Sequence, residues 1–451
     1  MKKLLISLSL ILILGLFSCK KETRITETKL QEEPTENLRG PVTPPSILQW
    51  QKTYGSTTNE LGWAITNASD GGYVLAGSTV GNNADVSGNH GGSDPWIVKL
   101  NSTGSIVWQK CFGGTGGDYA YDITSTSDGG YIFCGATSSS DGDISGFHGA
   151  VDAWVVKLSA TGTIEWQKVL GGSATERALS VIVTSTGEYL IAGYTNSSDG
   201  DVSDNHGNYD SWIVKLNSAG NTVWTKTYGG SLYDVAATII EVMDGFMISA
   251  GAESIDGDLS TLTNHGGRDQ WLYKINGNGD MLWQKTYGGS GQDNGGNIRM
   301  TSDGGYVCSS GTTSNNGDVS GNHGYFDTWV VKLNATGNII WQKCFGGTDM
   351  DNAGIVDIDA TGKILLVGYT LSRNGDITGY KGSSDLWVLR LDANGNKLNS
   401  TVLGGKSSDT GDDAVATTDG MYMAIGRTDS NDGNVSGNHG ASDIWVVKFK
   451  F

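Results

Sequence analysis

Residues 118–170 read DYAYDITSTSDGGYIFCGATSSSDGDISGFHGAVDAWVVKLSATGTIEWQKVL, and the chain repeats this unit along most of its length. The triplet Trp-Gln-Lys, or a close variant, recurs every 58 or 59 residues, at Trp50, Trp108, Trp166, Trp224, Trp283 and Trp341, with Asn399 in the seventh place. A second tryptophan recurs in all seven copies, at Trp96, Trp154, Trp212, Trp271, Trp329, Trp387 and Trp445. Such a fixed period is the mark of a repeat architecture.

Each copy contains four short runs that are rich in β-branched and aromatic residues. In the second copy they read AYDITSTS, GYIFCGAT, AWVVKLS and TIEWQKVL, and turn-forming pairs such as Gly-Gly and Thr-Gly separate them. Runs of this kind predict β-strands, and no segment has a helical period. Four antiparallel strands in each of seven copies predict an all-β fold, a seven-bladed β-propeller. A solenoid is the competing architecture, but its end repeats are atypical caps, whereas both ends here are ordinary repeat sequence.

The two ends of the repeat region complement each other. Residues 47–55, ILQWQKTYG, form a fourth strand without the three that should precede it, and residues 443–451, DIWVVKFKF, form a third strand without a fourth. We expect the N-terminal strand to complete the last blade, because this pairing removes two exposed sheet edges. The sequence therefore predicts a closed ring over residues 47–451.

This unit resembles that of the bacterial beta-propeller repeat proteins. The shared features are Gly-Gly before the innermost strand, DGGY at the second strand and D-x-W-V-V-K-L at the third, over residues 47–451. The resemblance implies the fold and little about function. Residues 333–343, LNATGNIIWQK, also look like the tryptophan-docking segment of quinoprotein propellers, which implies similar packing and no cofactor.

The first residues have the features of a secretion signal. Two lysines precede the apolar run LLISLSLILILGLF, which is too short for a stable membrane helix. The following LFSC resembles a bacterial lipobox, which implies a signal peptide over residues 1–18 and a lipid on Cys19. A plain secretory signal is the alternative. Residues 19–46 are polar and hold four of the five prolines, so we expect a solvated tether. The CKKE that opens this tether resembles signals for the outer membrane and the cell surface.

Charge and cysteine usage exclude several classes of protein. The chain carries 30 Lys and Arg against 48 Asp and Glu, a formal net charge of −18. Such a field repels phosphates, so nucleic acid is not an expected partner, and membrane contact is expected only through the lipid anchor. Beyond Cys19, the cysteines Cys111, Cys134, Cys308 and Cys344 show no CxxC pair, so neither a zinc site nor a disulfide framework is predicted.

The connections between strands divide between two faces of the ring. Loops from a fourth strand to the next blade, and loops from a second to a third strand, share one face, which we call the long-loop face. Tight turns such as SDGG and NATGN lie on the opposite face, the tight-turn face. Long loops on a rigid scaffold are the usual place for binding residues, so we expect any site on the long-loop face.

Three acidic series fall on the long-loop face, one member in each copy. The first series, ten residues after the first tryptophan, is Glu60, Asp118, Glu176, Asp234, Asp293, Asp351 and Asp409. The second series, two residues before the second tryptophan, is Asp94, Asp152, Asp210, Asp269, Asp327, Asp385 and Asp443. The third series is Asp85, Asp143, Asp201, Asp258, Asp318 and Asp376, with Asn434 in the seventh copy. All six histidines share one repeat position, held by Lys381 in the sixth copy: His90, His148, His206, His265, His323 and His439.

These series allow a metal-binding interpretation and a structural one. Clustered carboxylates suit Ca²⁺, and a histidine beside an aspartate suits a transition metal. The candidate ligands are Asp85, Asp94, Asp143, Asp152, Asp201, Asp210, Asp318 and Asp327. In the structural interpretation, each aspartate accepts backbone N–H groups in a turn and each histidine ties its loop to an aspartate. Repetition in every copy favours the structural interpretation, because a binding site is rarely built seven times.

Residues that break the repeat are the candidates for binding a specific ligand. The two tryptophan series are expected to pack between blades, with a sugar-stacking platform as the alternative. Trp63 lies outside both series, on an innermost strand near the channel mouth, and Tyr121 is the second candidate at that mouth. Blades six and seven add a cationic sector that would hold an anionic group such as a uronic acid or a partner's acidic loop, unless the last repeats have simply drifted. This sector comprises Arg373, Lys381, Lys406 and Arg427.

No pattern of catalytic residues stands out. A Ser-His-Asp arrangement, a Gly-rich phosphate loop and an activated cysteine are not discernible. We therefore interpret the chain as a non-catalytic cell-envelope lipoprotein that binds or scaffolds an envelope protein or a glycan. A carbohydrate-binding surface protein is the first alternative, and a hydrolase or quinoprotein-like enzyme is the second. We expect no cofactor other than Ca²⁺, and the sequence does not specify the oligomeric state.

Overall fold

The computed structural model describes residues 47–359 and 361–451. Seven four-stranded antiparallel sheets form a ring around a central channel. The prediction of a seven-bladed all-β propeller is confirmed. The predicted signal peptide (1–18), the tether (19–46) and Cys19 lie outside the described residues. Within the described part of the chain, no helix has the length and apolar character needed to cross a membrane.

Blades 1 to 6 add their strands in sequence order from the channel outward, and blade 7 does so for its first three strands. The first strands are β2 (Glu60–Asn67), β6 (Asp118–Ser125), β10 (Glu176–Val183), β14 (Asp234–Val242), β18 (Asn297–Met300), β22 (Asp351–Ile358) and β26 (Asp413–Ala416). The second strands are β3 (Tyr73–Thr79), β7 (Tyr131–Thr137), β11 (Tyr189–Thr195), β15 (Gly245–Ala252), β19 (Tyr306–Thr312), β23 (Ile364–Thr370) and β27 (Tyr422–Thr428). The third strands are β4 (Asp94–Leu100), β8 (Asp152–Leu158), β12 (Asp210–Leu216), β16 (Asp269–Ile275), β20 (Asp327–Leu333), β24 (Asp385–Leu391) and β28 (Asp443–Phe449). The fourth strands are β5 (Ile106–Cys111), β9 (Ile164–Leu170), β13 (Thr222–Tyr228), β17 (Met281–Tyr287), β21 (Ile339–Phe345), β25 (Lys397–Leu403) and β1 (Leu48–Tyr54). A 3-10 turn, Gly257–Leu259, interrupts the long loop of blade 4.

Blade 7 is built from both ends of the chain. Its strand order is β1-β28-β27-β26, and β1 pairs antiparallel with β28, so that Trp50 faces Lys448 and Tyr54 faces Ile444. The predicted closure by the N-terminal strand is therefore confirmed. Because β1 runs toward the long-loop face, the chain enters the propeller on the tight-turn face, at Ile47.

The hydrophobic core lies between neighbouring blades. The second tryptophans are buried there; Trp154 is 0% exposed and meets Phe133 edge to face, with ring centroids 5.5 Å apart. Its indole Nε1 donates to Gln167 Oε1 on the fourth strand, 2.9 Å away. Core packing of this tryptophan series is confirmed, since all seven members are at most 1% exposed.

The first tryptophans pack across the blade junction and are only partly buried. Trp108 lies over the turn of the next blade, and its Nε1 donates to Ala160 O at 3.3 Å. Gly162 of that turn has φ +73, and a Cβ there would meet the Trp108 ring at 2.9 Å. Asn399 replaces the tryptophan in blade 6 because blade 7 has no turn between its third and fourth strands. The closure of the ring thus explains this break in the repeat.

A buried or largely buried cation forms an ion pair on the tight-turn face of every blade. The Lys157 Nζ, on a third strand, lies 2.9 Å from Asp128 of the turn between the first two strands, and its side chain is 2% exposed. Equivalent ion pairs occur in the other six blades, with Arg390 as the cation in blade 6. The tight-turn face is therefore occupied by repeated structural contacts.

Candidate functional site

The first acidic series ties the long loops to the sheets. Asp118 is 0% exposed; its Oδ2 accepts the Gly114 N–H (2.8 Å) and the Ser139 hydroxyl (2.7 Å), and its Oδ1 accepts the Thr137 hydroxyl (2.6 Å). An equivalent bond from the loop N–H recurs in the other six blades. These carboxylates therefore act as loop anchors at the start of every blade.

The second acidic series holds the histidine loops. Asp327 Oδ2 accepts the backbone N–H of His323 at 2.8 Å and lies 2.7 Å from its Nδ1. Each of the other five histidines places its Nδ1 within 3.3 Å of the equivalent aspartate. Burial raises the pKa of all seven aspartates, against the lowering effect of these hydrogen bonds.

The first glycine of the Gly-Gly pair, which is Gly55 of Gly-Ser in the first unit, lies between carboxylates of two blades. Gly113 has φ +141, and a Cβ there would fall 2.6 Å from Asp118 Oδ2 and 2.9 Å from Asp94 Oδ1. Asp143, from the third series, accepts the Gly113 N–H at 3.2 Å and donates its own N–H to Gly113 O at 2.9 Å. The three series thus meet at each blade junction around a position that only glycine fits.

These contacts support the structural interpretation of the acidic series. Among residues 47–359 and 361–451, no group of three or more His, Cys, Asp and Glu side chains is arranged to hold a metal ion. One carboxylate oxygen in each blade does lack a donor. This atom is the Oδ1 of the second-series aspartate, which is buried without a hydrogen-bond partner. Calcium binding at these loops stays the alternative interpretation.

Two carboxylates that sequence reasoning missed lie in the channel wall. Asp122 Oδ2 accepts the Val181 N–H of the next blade at 2.8 Å, and Asp413 Oδ2 accepts the Ile65 N–H at 2.9 Å. They join neighbouring first strands, which explains charged residues on a strand that faces the interior. Burial raises the pKa of both, to about 7 for Asp413. The sequence feature that could have revealed these two carboxylates is an acidic residue among the apolar positions of a first strand.

We expect the propeller to be more stable at pH 6 than at pH 8. The pKa of Asp413 is about 7 in the folded state, against an ordinary value of 3.8, so the folded chain binds the extra proton and stability falls as pH rises through 7. This carboxyl alone contributes about 1 kcal/mol between the two pH values. Thermal unfolding of the wild type and of Asp413→Asn measures the effect. If the stability of Asp413→Asn depends on pH as strongly as that of the wild type, other groups cause the pH dependence.

The channel opens on the long-loop face into a cavity of about 420 Å³ between blades 6, 7 and 1. We call this cavity the mouth pocket and define it by Leu61, Trp63, Met350, Tyr369, Asp412 and Arg427. The Nε1 of Trp63 is buried without a hydrogen-bond partner. Asp412 accepts the Thr410 hydroxyl at 2.8 Å, and burial raises its pKa to about 6. The pocket therefore combines aromatic surface, one acid, one guanidinium and an unused donor.

Aromatic side chains continue from the mouth pocket around blades 1 to 4. We call them the aromatic crescent and define it by Trp63, Tyr119, Tyr121, Tyr194, Tyr209 and Tyr233. Tyr119 stacks on Tyr121 and Tyr209 on Tyr233, with ring centroids 5.9 and 5.2 Å apart. Arg177 donates to the Tyr121 hydroxyl at 2.7 Å and so fixes its position. The crescent lies beside the mouth, where the candidates Trp63 and Tyr121 were expected.

The four cations of the predicted cationic sector occupy different environments. Arg427 is the one among them that lines the mouth pocket. The other three have partners elsewhere on the face: Arg373 over the ring of Tyr380, Lys381 with Asn434, and Lys406 with Asp432.

Known solved structures resemble this chain in shape at very low sequence identity. No protein-family model and no curated protein sequence matches it. It is similar to hydrazine synthase of Kuenenia stuttgartiensis, with 11% identity, a TM-score of 0.49 and coverage of 80% of this chain and 92% of that one. A protein of unknown function from Dyadobacter fermentans shares 10% identity with a TM-score of 0.43, and the match covers 89% of this chain and 99% of that one. The β-propeller domain of the trilobed protease from Pyrococcus furiosus shares 8% identity with a TM-score of 0.43, and the match covers 89% of this chain and 94% of that one. The chain's own sheets identify it as a seven-bladed β-propeller.

Proposed function

We propose that this protein is a non-catalytic binding module of the cell envelope, and that its ligand docks at the long-loop mouth of the channel. The observation that supports this most is where the seven repeats differ. The residue after each first-series carboxylate is Leu61, Tyr119, Arg177, Val235, Asn294, Asn352 or Thr410. The residue two places further on is Trp63, Tyr121, Leu179, Ala237, Gly296, Gly354 or Asp412.

This variation contrasts with positions that never change in chemistry. The first and second acidic series are acidic in all seven copies, and the second tryptophan is present in all seven. Contacts needed by every blade hold those positions constant, as the buried Asp118 illustrates. Residues at the mouth are free of that requirement, so their individual side chains fit recognition of one asymmetric ligand.

Lipid anchoring belongs to the same proposal. A lipid on Cys19 and a tether over residues 19–46 would join the propeller through Ile47, which lies on the tight-turn face. The mouth opens on the other face of the propeller from Ile47. Replacing Cys19 by Ser is expected to move the protein from the membrane fraction to the soluble fraction without changing binding at the mouth.

A glycan is the ligand class that the aromatic crescent favours over a protein partner. Tyrosine and tryptophan rings present flat apolar surface together with a polar tip, which suits the two faces of a sugar ring. Tyr233 is 39% exposed and stacks on Tyr209, so part of this surface is open to solvent.

Binding by the full mature chain to a glycan array and to envelope extracts tests the proposal. Trp63→Ala and Tyr209→Ala are expected to lower the bound signal at least tenfold. Met243→Ala, which removes a fully exposed side chain from a turn of the tight-turn face, is the control and should bind like the wild type. Equal binding by all three variants would place the site away from the mouth.

A further inference from the structure

Two residues that line the mouth pocket, Trp63 and Arg427, carry hydrogen-bond donors that the protein itself does not use. The Trp63 Nε1 is buried without an acceptor. The Arg427 guanidinium is exposed at the pocket, and within the described residues it has no hydrogen-bond or ion-pair partner. The other described arginines do have side-chain partners, for example Glu253 for Arg268 and Asp359 for Arg390.

Unused donors of this kind indicate a ligand that brings acceptors. A buried N–H without an acceptor destabilises a protein, so its retention in a cavity fits an oxygen supplied from outside. A guanidinium pairs best with a planar carboxylate, through two parallel hydrogen bonds. The indole of Trp63 and the ring of Tyr369 offer apolar surface to the rest of the same ligand.

The remaining polar groups of the pocket suit hydroxyls. Ser384 and Ser408 line it with their hydroxyl oxygens 2.7 Å apart, and Asp412 stands near Arg427 without forming an ion pair with it. A volume of about 420 Å³ falls in the range of small-molecule sites. Carboxylate, hydroxyls and an apolar ring face are combined in one chemical class, the acidic sugars.

We propose that the mouth pocket binds an acidic sugar residue of a glycan, with Arg427 pairing with its carboxylate and the Trp63 indole N–H donating to one of its oxygens. This inference rests on the proposed function and adds the ligand class. The net charge of −18 opposes the binding of anions in general, so a sugar acid is held only where a guanidinium meets it.

Titration calorimetry of the full mature chain tests this inference. The probes are oligogalacturonate, a glucuronate-containing oligosaccharide and sialyllactose, each beside a neutral counterpart. At least one acidic probe is expected to bind, and Arg427→Gln should weaken it tenfold or more. Trp63→Phe keeps the ring but loses the donor, and should weaken binding several-fold. Lys226→Gln removes the same charge outside the mouth pocket, where the lysine pairs with Asp280, and should leave binding unchanged.

Three results would overturn the inference. Equal weakening by Arg427→Gln and Lys226→Gln would show a general charge effect. If the neutral counterparts bind as tightly as the acidic probes, the carboxylate does not contribute to recognition. If no acidic probe binds while Trp63→Ala still abolishes capture of an envelope ligand, the ligand class is wrong and the proposed function stands. If Trp63→Ala changes no binding either, the proposed function fails as well.

Discussion

A chain that lacks residues 47–55 is expected to lose more than about 4 kcal/mol of unfolding free energy, or to aggregate. The deletion removes β1, so β28 keeps β27 but loses its other antiparallel partner and becomes an edge strand. It also removes the Tyr54 hydroxyl that donates to Gly104 O at 2.6 Å and the Gln51 Oε1 that accepts the Trp445 indole N–H at 2.9 Å. Contacts are lost in blade 7 and between blades 7 and 1, and an unpaired sheet edge is exposed.

Deletion of residues 20–46 is the matched control for this experiment. It removes a longer segment, ends just before the ring and is expected to leave the melting temperature almost unchanged. Thermal unfolding followed by circular dichroism, with light scattering for aggregation, compares the two chains. Equal melting temperatures for the two deletions would show that closure by β1 contributes little to stability.

Replacing Asp118 by Ala is expected to destabilise the protein by about 3 kcal/mol or more. The substitution leaves the Gly114 N–H and the Thr137 and Ser139 hydroxyls without their acceptor in a fully buried site. Some repulsion with the neighbouring Asp94 disappears as well, but one relieved contact does not offset three lost hydrogen bonds. Chemical denaturation with a two-state fit measures the change.

The control for this substitution is Asp141→Ala. Asp141 also accepts hydrogen bonds, from the Thr115 N–H at 2.7 Å and the Thr115 hydroxyl at 2.9 Å, but it is exposed to solvent. Water replaces the lost acceptor there, so the unfolding midpoint should barely move. A loss as large as that of Asp118→Ala would show that burial is not what makes the first acidic series important.

The architecture was predictable because the same pattern of strands and turns recurs in the sequence of each blade. One tryptophan, turn glycines and four strand-like runs recur in every copy, and a second tryptophan recurs in six of the seven. The incomplete units at the two ends specify how the ring closes. The hydrogen-bonding role of the acidic series followed from the same repetition. From the sequence alone, Asn399 could be interpreted only as a lost tryptophan. The reason for the replacement lies in another blade, since blade 7 lacks the turn on which such a tryptophan would pack.

The candidate site was predictable only in part, because it depends on contacts between blades. Trp63 was found as an exception to the repeat, and Arg427 as one of four nearby cations. Which cation lacks a partner depends on side-chain neighbours that are distant in sequence. Asp122 and Asp413 were missed for the same reason, since the amides that they accept belong to the adjoining blade.

Closure by β1 also sets the order in which the molecule folds. Strands of blades 1 to 6 are consecutive in the chain, whereas β1 must wait for β28, the last strand to be synthesised. Pairing of Trp50 with Lys448 spans nearly the whole chain, and contacts of such sequence separation form slowly. Until then β1 is a free strand, and at high concentration it can pair with β28 of a second copy. Refolding at low concentration should therefore give closed monomers, and refolding at high concentration should add strand-exchanged dimers.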